Sequence, residues 1–114
     1  MIYKVSDQKN ETRADVRGGH GELGFLHLVD GTQTYGKTRL MARITFPPGT
    51  SIGEHPHAPD AEAYIVLSGE GTVTDNGVPV RLTAGDVMFT GNGDTHSMTN
   101  TGTEDLVIYA IIFN

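Results

Sequence analysis

The sequence predicts an all-β protein, a sandwich or jelly-roll barrel of two antiparallel sheets, and three observations carry that expectation. Glycine stands at 15 of 114 positions, about twice the average share of roughly 7%. These glycines separate short runs rich in Val, Ile, Thr, Tyr and Phe, and no window of helical length shows an apolar period near 3.6 residues. Asn76-Gly77, between Val73 and Val78, is the pair that a two-residue hairpin turn requires, because a type I′ turn needs positive φ at both central positions.

In chain order, residues 1–20 hold little apolar content beyond Ile2, Tyr3 and Val5. They read as an N-terminal arm of the same single domain, either pairing with another strand or loosely held. The barrel proper is expected over residues 21–114. A first strand at 24–29 is bounded by Gly24 and Asp30-Gly31. The next, 38–46, sets Leu40, Ala42, Ile44 and Phe46 on one parity against Arg39, Met41, Arg43 and Thr45 on the other, and ends at two prolines. Residues 62–67 are apolar on both parities after Glu62. Runs 71–74 and 78–82 are the arms of the Asn76-Gly77 hairpin, and Pro79 confines the returning arm to an edge or a strand start. Further strands are expected at 86–90, 96–100 and 106–113.

Residues 62–67 and 106–113 are apolar on both faces, which points to packing between sheets or to a subunit interface. A homodimer is the economical expectation, with Ile65 and Ile108 as its contact residues.

Charge narrows the partners. The chain has 8 Lys+Arg against 14 Asp+Glu, a formal net charge of −6. Residues 44–114 hold Arg81 as their one cation against nine acids. No phosphate track for nucleic acid is expected, and an anionic membrane surface would be repelled, whereas divalent cations would be concentrated. Cysteine is absent, which excludes disulfide scaffolds, thiolate zinc sites, iron–sulfur clusters and cysteine nucleophiles. The N-terminus has no apolar h-region and the longest apolar run is the eight residues 106–113. Neither a signal peptide nor a membrane span is expected, and the cytoplasm is the default location.

Any metal must then be held by nitrogen and oxygen. His55 and His57 stand at i and i+2, a spacing that places both side chains on one face of an extended chain. Glu62 follows at the entrance to the next strand, and His96 lies near another strand after Gly93. Such a donor set suits Mn, Fe, Co, Ni, Cu or Zn without choosing among them. Glu54 and Asp60 are local rivals to Glu62. Asp60 reads first as a loop acid and second as an acceptor for a ligand histidine. His20 and His27 read as ordinary surface or strand residues.

Over residues 49–100 the chain resembles a cupin. The family's first motif, G-x5-H-x-H-x4-E-x6-G, is matched by Gly49, His55, His57, Glu62 and Gly69. The second, G-x5-P-x-G-x2-H-x3-N, is matched by Gly85, Gly93, His96 and Asn100, with Gly91 in the proline position. That departure is expected to loosen the loop carrying His96 while leaving the residue in place. The resemblance implies a conical jelly-roll barrel of two antiparallel sheets with a metal inside its wider mouth, held by His55, His57, Glu62 and His96. A six-coordinate ion would then keep two positions for water or substrate.

Parity suggests the rest of the lining. If Glu62 points inward so does Tyr64, either a packed core tyrosine or a hydrogen-bond donor and proton-transfer group beside the metal. Met98 follows His96 inward by the same count. Arg43 is either a solvated surface residue or the cation that clamps an anionic substrate. Three function classes follow. The first is a metal-dependent enzyme acting on a small oxygen-rich molecule, with dioxygenase chemistry ahead of decarboxylase, isomerase or lyase chemistry. The second is a non-catalytic module binding a sugar or organic acid, and the third a structural barrel.

Overall fold

The computed structural model describes residues 1–114 and contains ten strands. These are β1 (Lys9–Ala14), β2 (Glu22–His27), β3 (Thr38–Phe46), β4 (Ser51–Pro56), β5 (Ala61–Ser68), β6 (Glu70–Asp75), β7 (Val78–Thr83), β8 (Val87–Thr90), β9 (Thr95–Thr99) and β10 (Leu106–Phe113). Helix is confined to single 3₁₀ turns at Val5–Asp7 and Val16–Gly18. Six strands form one antiparallel sheet in the order β1-β2-β3-β10-β5-β8, and four form the other in the order β4-β9-β6-β7. No helix is long and apolar enough to cross a membrane.

Every strand expected from sequence is present. Two others were not expected. β1 pairs with β2 along its whole length, from Lys9 opposite His27 to Ala14 opposite Glu22. It is an edge strand of mostly polar residues, held by backbone bonds rather than by an apolar stripe, so the arm takes the paired alternative. β4 carries one buried aliphatic residue, Ile52, and its other buried side chain is His55.

The core lies between the sheets. Ala42, Ile44 and Phe46 of β3, Tyr64 and Val66 of β5, and Leu106, Ile108 and Ala110 of β10 face Ile52, Val73, Leu82 and Met98 of the opposite sheet. Each Val, Leu, Ile, Phe or Met side chain among them contributes roughly 1.5–3 kcal/mol if fully buried, and the alanines less. Ile108 is therefore a core residue and not a surface contact: it stands opposite Ile44 and Val66, and all three are at most 1% exposed. It shares that inward parity with Leu106 and Ala110, whereas the register break opposite Val107 and Ile108 leaves Leu67 as the extra residue of β5. The outer face instead carries Val107, Tyr109 and Ile111.

Two irregularities set up the site. Between Ile52 and His55 the β4–β9 register slips by one residue, a bulge that lets both point inward although they are three apart. On its other side β4 is packed by the Val16–Gly18 turn, where Gly53 permits backbone contact: a Cβ there would overlap the Arg17 carbonyl.

The loop before His96 is well tied despite lacking the motif proline. His57 N–H donates to the Asp94 carbonyl at 3.0 Å and Gly93 N–H donates back to the His57 carbonyl at 2.9 Å. Asn92 and Gly93 both take positive φ in this turn. These two backbone bonds tie the loop to the chain at His57, where the motif would have a proline in place of Gly91. Asn100 closes the far end of β9. Its Nδ2 donates to the carbonyls of Phe46 and Glu104 at 2.8 Å, and its Oδ1 accepts from Gly102 N–H at 2.9 Å.

Candidate metal centre

The bulged β4, the strand β5 and the loop-anchored β9 bring His55, His57, Glu62 and His96 together, all four buried. Nε2 of His96 lies 3.1 Å from Nε2 of both His55 and His57, and Glu62 Oε1 lies 3.0 Å from His57 Nε2 and 3.1 Å from His96 Nε2. All four donor atoms fall within 4.8 Å of one another.

The far nitrogens decide what these atoms can do. His55 Nδ1 is 2.7 Å from the Gly53 carbonyl, which can only accept, so Nδ1 carries the proton and Nε2 a lone pair. His57 Nδ1 lies 3.0 Å from Asp60 Oδ1, and the ionised carboxylate imposes the same tautomer. Two imidazole lone pairs and a carboxylate oxygen thus converge in a buried space with too few protons to pair them. A cation resolves that repulsion. Adjacent ligands at about 2.1 Å from a transition metal and about 90° apart are about 3.0 Å from one another, which matches the separations found here. The donor set fits a divalent metal.

Burial raises the proton affinity of Asp60, but the bond from His57 and the charge of Arg39, which binds its other oxygen, outweigh it and hold the acid below the usual carboxylate range. Asp60 is an acceptor for a cluster histidine rather than a loop acid. Its fixed place next to His57 is a product of the fold that the linear pattern ranked second. Glu54 accepts from Thr95 Oγ1 on the exposed side of the strand, 3.1 Å away. Burial pulls the His55 imidazole below its ordinary value of 6.5, partly offset by the Gly53 bond. Burial also pushes the Tyr64 phenol well above its ordinary value, and the Glu62 carboxylate adds to the shift. Tyr64 therefore keeps its proton. Its ring stacks on His96 with centroids 4.6 Å apart.

A cavity of about 420 Å³ opens over His55, His57, Glu62 and Tyr64. Its cations are Arg13, Arg17 and Arg39. Arg43 is exposed on the outer face, opposite Leu26 and Tyr109, and does not reach it. Arg39 shares the parity of Arg43, yet the β3–β10 register breaks between Leu40 and Thr38, so Arg39 is the extra residue of a bulge and turns to the cavity. Met98 points inward as expected but lies between Ile52 and Val73 in the core, off the cavity wall. His27 meets Glu11 at 3.1 Å and His20 is exposed, so neither joins the cluster. Arg13 and Arg17 were missed because the arm has no apolar period. The one signal available was that seven of the chain's eight cations lie within residues 1–43.

Fold and cluster together define a class of protein: a small jelly-roll barrel with a buried three-histidine, one-glutamate cluster that could hold a metal ion. The chain belongs to the cupin domain family, whose signature matches residues 42–112. It is 43% identical over 112 residues to an oxalate-binding protein of Thermotoga maritima, covering 98% of this chain and 93% of that one. A crystal structure from Thermotoga maritima, designated a predicted oxalate decarboxylase, superposes with a TM-score of 0.94 at 42% identity, covering 99% of this chain and 98% of that one. A dimethylsulfoniopropionate lyase of Ruegeria pomeroyi is 33% identical over 87 residues, 76% of this chain but 56% of the lyase.

Two predictions follow from this geometry. His55→Ala and His96→Ala should each abolish stoichiometric metal binding by elemental analysis, Asp60→Asn should weaken it by about tenfold to a hundredfold, and His27→Ala should leave it unchanged. Metal loss in His27→Ala with retention in His55→Ala would refute the cluster. Because the folded imidazole of His55 sits below 6.5, the unfolded chain binds the extra proton. The metal-free protein should therefore hold this contribution above about pH 6.5 and lose it as pH falls through the lower folded value. Thermal melts from about pH 8 to about pH 5 check the sign.

Proposed function

We propose that this chain is a metal-binding cupin that captures a small dicarboxylate, of the size and charge of oxalate, in the cavity over His55, His57, Glu62 and His96. The observation that carries the reading is the placement of three arginines over that cluster, in a protein whose net charge is −6. Guanidinium groups gathered over a cation site in an otherwise acidic chain suit a ligand with two negative charges. The name of the Thermotoga maritima oxalate-binding protein supports the same ligand class.

The four cluster residues would hold a divalent transition metal, one of Mn, Fe, Co, Ni, Cu or Zn. Such an ion supplies a Lewis-acid centre that carboxylate oxygens can join. The chain's own residues do the rest. Asp60 fixes the His57 ring and the Gly53 carbonyl fixes that of His55. Phe25, Ile44 and Ile52 on the wall exclude water and strengthen charge interactions inside.

Binding without turnover is the reading the wall supports best. Converting oxalate to formate places a proton on carbon, and the wall's one carboxyl group, Glu62, belongs to the cluster. Decarboxylation is the second reading, favoured by Tyr64, a protonated phenol at the wall, and by the designation of the second Thermotoga maritima protein. Oxidation by O2, placed first from sequence alone, ranks behind both because nothing at the arginine-lined mouth favours it. Titration calorimetry of the metal-loaded protein should show about one equivalent of oxalate bound with Kd below about 1 mM, and NMR should show no formate. Formate would move the assignment to the second reading, and absence of saturable binding would overturn the first.

We also propose that two copies pair through the outer face of β5, β8 and β10. Val87 and Phe89 are 60% and 64% exposed there, beside Ile65, Leu67, Ile111 and Phe113, with no charge among them. A contiguous uncharged apolar patch of this kind suits an interface between two copies. Light scattering should give a dimer for the wild type and a folded monomer for Phe89→Arg. A wild-type monomer would sink the proposal.

A further inference from the structure

We infer that Arg17 sets the specificity of the cavity, taking the outward carboxylate oxygens of the bound dianion with a guanidinium delivered by the N-terminal arm. The inference rests on the dicarboxylate reading above. Three arginines line the cavity, but two are engaged. Arg13 is bonded to Glu11 and lies over the Phe25 ring, 4.6 Å from its centroid, and Arg39 is bonded to Asp60. Arg17 has no carboxylate partner, and it lines the same cavity as His55, His57, Glu62 and Tyr64.

The backbone supports the assignment. Arg17 has φ 54, and Asp15, two residues earlier, has φ 50. An L side chain pays for that left-handed conformation, which glycine adopts freely. The surroundings over-determine it. Gly21 N–H donates to Asp15 Oδ1 at 3.0 Å and Asp15 N–H donates to the Gly21 carbonyl at 3.0 Å, closing the segment on itself. Gly19 and Arg17 then lie backbone against backbone on Ser51 and Gly53 of β4, where a Cβ on Gly19 or Gly53 would overlap a carbonyl. Gly53 seats Arg17 through its Cα and orients His55 through its carbonyl, so one residue links the arm to the cluster. If only chain direction mattered, glycine would serve at position 17 as it does at Gly18, where φ is 77. A strained arginine held at the mouth of a site points to a use for its guanidinium.

The test compares oxalate with acetohydroxamate on the metal-loaded protein. Acetohydroxamate also chelates through two oxygens but presents a methyl group where oxalate presents carboxylate oxygens. Arg17→Gln should weaken oxalate by about tenfold to a hundredfold and acetohydroxamate by less than about threefold, with metal content unchanged. Arg17→Lys should recover part of the loss. Arg17→Gly, which relieves the strained φ, should lose oxalate affinity while Tm holds or rises. Unchanged oxalate affinity in Arg17→Gln removes the inference and leaves the dicarboxylate reading standing. Equal loss of both ligands, or a lower Tm with metal loss in Arg17→Gly, shows a structural role and overturns it as well. A wild type that takes acetohydroxamate but not oxalate defeats the dicarboxylate reading itself, and the inference with it.

Discussion

The structure is organised around a repulsion. Imidazole nitrogens of His55 and His57, each stripped of its proton by a bond on the far side of its ring, face one another and the Glu62 oxygen with His96 between them. In a buried space such an arrangement is unfavourable unless a positive charge is shared among the donors. The surrounding framework holds it in place. The β4 bulge turns His55 inward, the paired backbone bonds between His57 and the Gly93–Asp94 turn bring β9 alongside, and Asn100 locks the end of that strand to β3.

Around this centre the protein manages two kinds of surface. The inner faces of the sheets are apolar away from the mouth, where Met98 lies between Ile52 and Val73. Towards the mouth polar groups take over, and nearly every one has a partner. Among the buried side chains, His96 Nδ1 and Thr90 Oγ1, the latter on the residue opposite Glu62, are without a hydrogen bond. The His96 ring is stacked on Tyr64, so packing rather than a hydrogen bond at Nδ1 fixes it.

The arm changes how the cavity is understood. A barrel closed by β2 alone would have a mouth poor in cations, whereas β1 and the turn after it add Arg13 and Arg17, and the bulge in β3 adds Arg39. The acidic barrel and its basic entrance therefore come from different parts of the chain. An entering anion meets the arginines before the cluster, and the low-dielectric wall prevents water from screening that attraction.

Much of this was legible in the residues. Glycine punctuation and the Asn76-Gly77 pair marked eight strands, and period-two alternation put His55 and His57 on one face, because both are local consequences of backbone geometry. Glu62 and His96 joined them through the match to the two cupin motifs. Tyr64 followed from the period-two count. What the tertiary structure decided is where that count fails. Bulges at Arg39 and beside His55 reset parity, and Ile108 shares the inward parity of Leu106 and Ala110 once the sheet faces are fixed. Asp60 is tied to Arg39 and Arg17 is seated by Gly53, contacts between segments distant in the chain. A one-residue slip reverses every side chain beyond it, and an edge strand such as β1 is bound by backbone hydrogen bonds that leave no apolar pattern to read. The amino-acid sequence by itself marked the barrel's strands and, through its cupin motifs, the four residues of the cluster, and only packing between distant segments decided which charges surround them.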